Sequence, residues 1–131
     1  MFGNLEILRQ AQAMASHAGA RQSSIARNIA NADTPGYRPT DLRPFAEVWR
    51  GIDDAFALRQ TRSGHVGPAA GSAAMESLLR PVPGATAPNG NGVSIEAEMM
   101  KSAEARSQHD MALSIYHNTL GVLKSSLGRP R

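Results

Sequence analysis

The sequence predicts a mainly α-helical protein whose long N- and C-terminal helices pack as an antiparallel coiled-coil-like pair, with an irregular Gly/Pro-rich middle. Seven of the eight prolines lie between residues 32 and 92, so long helices are confined to the two ends, because proline interrupts helix interiors. At both ends, apolar residues recur at alternating spacings of three and four, which is typical of a helix that packs along one seam. We therefore expect three segments, 1–37, 38–92 and 93–131, of which the two ends form one assembly domain.

The N-terminal helix is predicted from about residue 4 to residue 31. Its seam has spacings of 4, 3, 4 and 7 and consists of Ile7, Ala11, Met14, Ala18 and Ile25. Arg21 occupies the position that the longest spacing skips, and Gly19 weakens the helix locally. Because the seam is narrow and contains two alanines, it permits close approach of a partner helix but buries little area alone. We therefore expect this helix to depend on a partner for its stability.

Residues 29–37 predict how the first helix ends. Pro35 and Gly36 suit the central positions of a type II turn, in which glycine supplies the positive φ. The side chains of Asn31 and Asp33 can hydrogen-bond to backbone groups that the helix end leaves free, and Tyr37 provides an amphipathic anchor after the turn. From physical chemistry alone, this string is a helix exit.

Two parts of the middle differ in composition. The densest group of large apolar side chains consists of Phe45, Val48, Trp49, Ile52, Phe56 and Leu58. This pattern fits either a short helix or an extended segment packed on the terminal helices. Residues 64–92 are rich in Gly, Pro, Ala and Ser, so we expect a flexible or loop-like segment there.

The C-terminal helix has the longer and clearer seam. Spacings of 4 and 3 alternate through Ile95, Met99, Ser102, Arg106, His109, Leu113, Tyr116, Leu120, Leu123 and Leu127. Ser94 suits the N-cap, and Glu96 and Glu98 lie in the first turn, where the helix dipole favours anions. Lys124 in the last turn, followed by Gly128 and Pro130, predicts the end of the helix.

Composition limits the possible chemistry. The chain has no cysteine, which excludes disulfides, thiolate metal sites and thiol catalysis. No i,i+4 pair and no acidic ligand pattern accompanies the four histidines, which are His17, His65, His109 and His117. Ser107, His109 and Asp110 are triad residue types, but neighbouring positions on one helix do not give triad geometry. We therefore expect a protein that is not an enzyme, with no catalytic or metal site, no cofactor and no small-molecule substrate.

Charge and hydropathy address possible partners and targeting. The net charge of +3 and the pI of about 10.0 permit a nucleic-acid partner, although the basic residues are scattered. A small basic nucleic-acid-binding module is therefore the alternative hypothesis. The N-terminus lacks the basic and long apolar regions of a signal peptide, and no stretch approaches the roughly 18 apolar residues of a membrane span. If the protein leaves the cytoplasm, we expect export without a cleaved signal.

The helix-exit string carries a resemblance to a known family. Ala30-Asn31-Ala32-Asp33-Thr34-Pro35-Gly36-Tyr37 is similar to the Ala-Asn-x-x-Thr-x-Gly-Tyr signature of flagellar rod and hook-type axial proteins. Residues 24–29 resemble the end of that family's N-terminal helix, and residues 92–99 resemble the segment that opens its C-terminal helix. The short middle and the total length resemble the proximal rod members, without separating the two proximal rod proteins from each other.

The resemblance implies a structural subunit of the bacterial flagellar proximal rod. Such a subunit polymerises through its terminal helices, connects the basal body to the distal rod and transmits torque. The implied partners are copies of itself, other rod proteins, the basal-body adaptor at the membrane ring and the flagellar type III export apparatus. The implied location is the periplasmic rod, reached without a cleaved signal peptide.

A seam hypothesis follows for assembly. We expect one set of residues to bury between the two helices and against neighbouring subunits: Ile7, Met14, Ile25, Ile29, Ile95, Met99, Leu113, Tyr116, Leu120, Leu123 and Leu127. Because the polymer would complete the hydrophobic core, we expect the isolated chain to be poorly folded, with its terminal helices ordering on assembly.

Overall fold

A computed structural model describes residues 2–54, 78–84 and 86–128. Its elements in chain order are α1 (Phe2–Ala30), β1 (Thr40–Leu42), α2 (Phe45–Asp54), β2 (Leu79–Pro81) and α3 (Ile95–Ser126). Helices α1 and α3 pack against each other. Asn28, near the end of α1, bonds Glu98 near the start of α3, and Gln22 bonds Ser102, so the two helices are antiparallel. The predicted fold class is confirmed.

Helix α3 begins and ends where its sequence signals predict. The Ser94 side chain accepts a hydrogen bond from the Ala97 N–H at 3.4 Å, which satisfies one of the free donors at the helix start. Glu96 and Glu98 lie in the first turn and Lys124 lies in the last. Gly128 follows the helix with a φ of +85°, the left-handed conformation that ends many helices. The predicted contribution of Pro130 lies outside the described residues.

The contact between the terminal helices is built on small side chains. The buried apolar residues of this contact are Ala11, Ala18 and Ile25 on α1 and Ala105 and Ala112 on α3. Alanine lets two helix backbones approach closely, but each buried methyl group removes little apolar area from water. The described part of the chain therefore has a thin apolar core between its terminal helices.

The middle contains more regular structure than expected. Strands β1 and β2 pair antiparallel, with Thr40 opposite Pro81 and Leu42 opposite Leu79. Of the two forms left open for residues 45–58, the structure gives a helix over the first ten residues, and residues 55–58 lie outside the described part. The Phe45 ring lies 5.6 Å from the His17 ring, and the Arg9 guanidinium lies 5.8 Å from the Trp49 ring. These contacts hold α2 on α1.

Much of the Gly/Pro-rich stretch predicted to be flexible, from residue 64 onward, lies outside the described residues. Among the helices that the structure describes, none combines the length and the apolar character needed to cross a membrane.

Candidate functional site

The helix-exit string of residues 30–37, called the exit motif below, has the predicted turn after α1. The Tyr37 N–H donates to the Thr34 carbonyl oxygen at 3.3 Å, which closes a four-residue turn around Pro35 and Gly36. Gly36 has a φ of +72°, the left-handed conformation that the third position of a type II turn requires. The turn prediction made from the Pro-Gly pair is therefore confirmed.

Asn31 stabilises the end of α1 through the local bonds expected of it. Its Nδ2 donates to the Arg27 carbonyl oxygen at 2.8 Å, and its Oδ1 accepts from the Thr34 hydroxyl at 3.2 Å. Ala30, the last residue of α1, is exposed, as are Thr34, Pro35 and Gly36, whereas Asn31 and Tyr37 are half-buried. The motif thus combines a capped helix end with an exposed turn.

A second asparagine, which sequence analysis did not single out, clamps the same helix end. Asn91 is 3% exposed. Its Nδ2 lies 3.0, 2.7 and 2.8 Å from the carbonyl oxygens of Asn31, Ala32 and Thr34. Its Oδ1 accepts from the Val93 N–H at 2.7 Å. Asn91 therefore joins the exit motif to the segment that leads into α3.

Asn28 is the centre of a buried polar network and is 0% exposed. Its Nδ2 donates to the Thr40 carbonyl oxygen at 2.8 Å and to Glu98 Oε2 at 2.9 Å. Its Oδ1 accepts from the Thr40 N–H at 3.2 Å and from the Tyr37 hydroxyl at 3.3 Å. One side chain thereby connects α1, the exit motif, β1 and α3.

Glu98 brings a carboxylate into this network. The residue is 2% exposed, and its Oε1 accepts from Lys101 Nζ at 2.7 Å. A buried carboxylate is tolerated when it is paired with a cation and hydrogen-bonded, and Glu98 meets both conditions. Its position in the first turn of α3 was predicted, but its burial against Asn28 was not. Asn28 itself lies three residues after Ile25, so continuing the α1 seam by one step would have identified it.

Arg21 ties three elements together. Its Nε and Nη2 donate to the two carboxylate oxygens of Asp41 at 3.1 and 3.3 Å, and its Nη1 lies 3.2 Å from Glu104 Oε2. Burial lowers the pKa of this guanidinium, but the bonds and charges of Asp41 and then Glu104 outweigh burial and raise the pKa. The residue that interrupts the predicted seam is thus an ion-paired link between α1, β1 and α3.

His17 is buried on the side of α1 that faces the middle segment. Its Nε2 lies 2.8 Å from the Arg43 carbonyl oxygen, so the tautomer protonated at Nε2 donates a hydrogen bond there. Burial is the main cause that lowers the pKa of His17, and the nearby charge of Arg21 adds to it. The bond to Arg43 and the charge of Asp41 act in the opposite direction. The neutral imidazole is therefore favoured at neutral pH.

The predicted seam residues lie at different depths in this hairpin. Ile25 is buried, and four others are half-buried: Met14, Tyr116, Leu120 and Leu123. The remaining six are exposed: Ile7, Ile29, Ile95, Met99, Leu113 and Leu127.

The reason is a difference of one position along α3. The side that meets α1 is centred on Glu98, Ala105 and Ala112, whereas the predicted row runs through Met99 and Leu113. One residue is a rotation of about 100° around a helix, so the Met99 row lies beside the α1 contact. The observed contact uses small side chains because they allow α1 and α3 to pack closely, whereas the prediction followed the row of large apolar side chains. Burial of the exposed residues against neighbouring subunits stays a prediction.

A further apolar row on α3 was not predicted. Met111, Ile115 and Val122 are exposed and follow spacings of 4 and 7, which place them on one flank of the helix. This flank lies on the other side of the α1 contact from Met99 and Leu113. Helix α3 therefore presents apolar side chains on two flanks outside its contact with α1.

The described residues contain no group of three or more His, Asp or Glu side chains arranged to hold a metal ion. What this part of the chain does contain is a hairpin of α1 and α3 that exposes apolar rows on α3. At one end of the hairpin, Asn28, Glu98 and Asn91 form a buried polar cluster, the polar lock. This arrangement supports association with other protein surfaces.

Comparison with known proteins identifies the family. Residues 8–38, which cover most of α1 and the exit motif, match a family model described as flagella basal body rod protein. Over 106 residues, the chain is 34% identical to flagellar basal body rod protein FlgB of Salmonella typhimurium, covering 76% of this chain and 77% of that protein. Proteins of the same name match in Escherichia coli, with 34% identity over 72% of each chain, and in Agrobacterium fabrum, with 28% identity over 85% of this chain and 84% of that protein. The exit motif alone did not distinguish between the two proximal rod proteins. These relatives do, and the chain belongs to the FlgB family of flagellar basal body rod proteins.

Proposed function

We propose that this chain is a structural subunit of the proximal flagellar rod and that it polymerises through its terminal helices. The observation that carries the proposal is the exposure of large apolar side chains on α3 while small ones fill its contact with α1. Met99, for example, is 63% exposed, whereas Ala105 and Ala112 are buried.

The two exposed flanks of α3 support assembly over a solitary role. A surface helix of a soluble monomer has one apolar stripe, which faces its core. Helix α3 meets α1 along one side and still exposes the Met99 row and the Met111 row. Exposed apolar rows of this kind mark protein interaction sites. In the assembled rod, we expect neighbouring subunits to cover both rows.

The proposed route and partners follow from family membership. The chain is a component of the flagellar basal body, which contains other rod proteins. Within it, we propose contacts with copies of this chain, with neighbouring rod proteins and with the adaptor at the membrane ring. We further propose passage through the flagellar type III export apparatus to the periplasm without a cleaved signal, and transmission of torque in the finished rod. Nothing in the family relationship favours the alternative of nucleic-acid binding.

Weak folding of the isolated chain is part of this proposal. The α1–α3 contact buries alanines, and most helical stability in proteins comes from the packing of apolar faces. We expect the terminal helices to reach their full stability only when neighbours cover the exposed rows. Full helix content and a cooperative thermal transition in a dilute monomer would contradict this expectation.

The direct test is retention in the purified organelle. The chain is tagged, expressed in its own bacterium in place of the untagged protein, and followed through purification of hook–basal bodies. A strain that makes a tagged unrelated periplasmic protein is the control for carry-over. We expect the tag to remain through detergent and high salt at a handful of copies per particle. Intact and functional basal bodies without the tag would refute the proposal.

A further inference from the structure

The contact between α1 and α3 repeats every seven residues. Its buried positions are Ala11, Ala18 and Ile25 on α1 and Glu98, Ala105 and Ala112 on α3. A slip of α3 by seven residues, about 10.5 Å at 1.5 Å per residue, still places one alanine against another, where the native register has two such contacts. Because an alanine methyl group buries little apolar area, the loss of one such contact distinguishes the registers only weakly. The alanine contacts of the seam therefore select the register only weakly.

We infer that the buried pair of Asn28 and Glu98 is the positioning element that fixes the register of the helical hairpin. Asn28 Nδ2 and Glu98 Oε2 are 2.9 Å apart, and both residues are fully buried. A single buried polar residue in a helix–helix seam is known to specify register, since every other alignment leaves it without its partner.

Both possible slips break this pair. In one direction, Glu98 moves past Ala30, where α1 ends. In the other direction, it reaches the level of Arg21, which keeps its two bonds to Asp41 and exchanges its ion pair with Glu104 for one with Glu98. In either case, Asn28 loses its bond to the carboxylate, and in the second case α3, which begins at Ile95, no longer reaches Asn28. Loss of this bond costs free energy in both slips, so both slipped registers are disfavoured relative to the native one.

The exit motif holds Asn28 in the orientation that this role requires. Its Oδ1 accepts from the Tyr37 hydroxyl and from the Thr40 N–H, so its Nδ2 must face Glu98 and the Thr40 carbonyl oxygen. Tyr37 is the last residue of the family motif. The motif is therefore connected to the register of α3 through one side chain. The importance of the register for assembly rests on the proposed polymerisation through α1 and α3. Neighbouring subunits can bind one defined outer surface only if α3 keeps one register on α1.

Disulfide trapping measures the register directly, since the chain has no cysteine of its own. The native reporter combines Gln22→Cys with Ser102→Cys, positions whose side chains are hydrogen-bonded at 2.6 Å. The slip reporters combine Gln22→Cys with Ile95→Cys or with His109→Cys, one heptad away on either side. Each full-length chain is oxidised with glutathione disulfide at high dilution. Unfolded chains close all three pairs at similar rates, so the ratio of native to slipped closure rates is compared at equal helix content, which is set with trimethylamine N-oxide and checked by circular dichroism.

The test variant combines Asn28→Leu with Glu98→Leu, because well-packed apolar residues often replace a buried ionic pair without loss of stability. In the parent chain, we expect the native reporter to close at least about tenfold faster, since breaking a buried pair costs that much or more. In the double-leucine variant, we expect the ratio to fall to within about threefold. The matched control combines Glu47→Leu with Arg80→Leu, an exposed ion pair at 2.6 Å, and keeps the parent ratio.

Glu98→Gln provides the rescue, because its amide oxygen still accepts from Asn28. We expect this variant to keep the parent ratio, although it loses the charge that faces Lys101. An unchanged ratio in the double-leucine variant would overturn the inference, as would a collapsed ratio in Glu98→Gln. Neither result depends on retention in basal bodies, so failure of the proposed function and failure of this inference are separate outcomes.

Discussion

The clamp formed by Asn91 offers a sharp test of how the exit motif is held. Its amide group lies within 3.0 Å of three carbonyl oxygens at the end of α1, and its oxygen accepts from Val93. Asn91→Ala removes two N–H donors and one acceptor at a buried position. Asn91→Asp keeps the size of the side chain but turns a carboxylate oxygen toward those carbonyl oxygens.

The magnitude follows from the bonds that are lost. A neutral hydrogen bond contributes about 1 kcal/mol net, so three lost bonds correspond to about 3 kcal/mol. Thr34 is exposed and Ala32 is half-buried, so water replaces part of the loss and we expect about 2 kcal/mol for Asn91→Ala. Asn91→Asp costs more, because its charge faces carbonyl oxygens at the negative end of the α1 dipole.

The pH dependence separates the two variants. Carbonyl oxygens raise the pKa of the new carboxyl group above the ordinary value of about 3.9. The folded state then binds the proton more tightly than the unfolded state. The additional penalty of Asn91→Asp over Asn91→Ala is therefore complete at pH 7 and shrinks as the pH falls through the raised pKa.

Helix content measured by circular dichroism across a titration with trimethylamine N-oxide is a suitable assay. This osmolyte strengthens effective burial, so it reports on a weakly folded chain as well as on a stable one. We expect the folding midpoint to shift to higher osmolyte concentration in the order parent, Asn91→Ala, Asn91→Asp. Asn89→Ala is the control, because it removes one bond, to the Asn91 N–H, from an exposed side chain. Equal midpoints for Asn91→Ala and Asn89→Ala would refute the reasoning.

Three further predictions concern the turn, the seam and the buried histidine. Gly36→Val places a β-branched residue at a φ of +72°, at a cost of about 1–2 kcal/mol or more. We therefore expect the variant to be exported normally but to show reduced incorporation into the rod and reduced swimming. Normal swimming would contradict this. Leu120→Asp puts a charge at a half-buried seam position, and we expect loss from purified basal bodies while the exposed control Asn118→Asp is retained. The folded pKa of His17 is lowered below 6.5, so its contribution to stability is complete above pH 6.5 and is lost as the pH falls through the folded pKa. We expect helix content to fall between pH 7.5 and pH 5, and His17→Gln to reduce this loss.

The elements with local signals were predictable from the sequence. Ser94 marks the start of α3 through a bond to a backbone group three residues away, and Gly36 marks the turn through its own φ. Both signals act within a few residues, so the sequence alone contains them. The long terminal helices were predictable for the same reason, because their periodicity is a local property of the chain.

The polar lock was not predictable, because its partners are distant in the chain. Asn28 and Glu98 are 70 residues apart, and Asn91 clamps carbonyl groups more than 55 residues before it. No spacing rule connects such positions in a single sequence. The β1–β2 ribbon was missed for a different reason, since each strand has three residues and one of them ends in proline, which disfavours a strand assignment.

A self-sufficient domain buries its large apolar side chains and exposes its polar ones. The hairpin of α1 and α3 instead buries polar side chains and exposes many large apolar ones. Among the described residues, the largest fully buried side chains are Ile25, Glu98 and Asn28, so two of the three are polar. Most of the large apolar residues of α3 are exposed, and the others are half-buried. A small apolar core favours pairing of the helices only weakly, and a buried polar pair contributes more to choosing one alignment than to stability. From this distribution we expect a chain that is easily kept unfolded, yet has one defined register once neighbouring subunits cover the exposed rows.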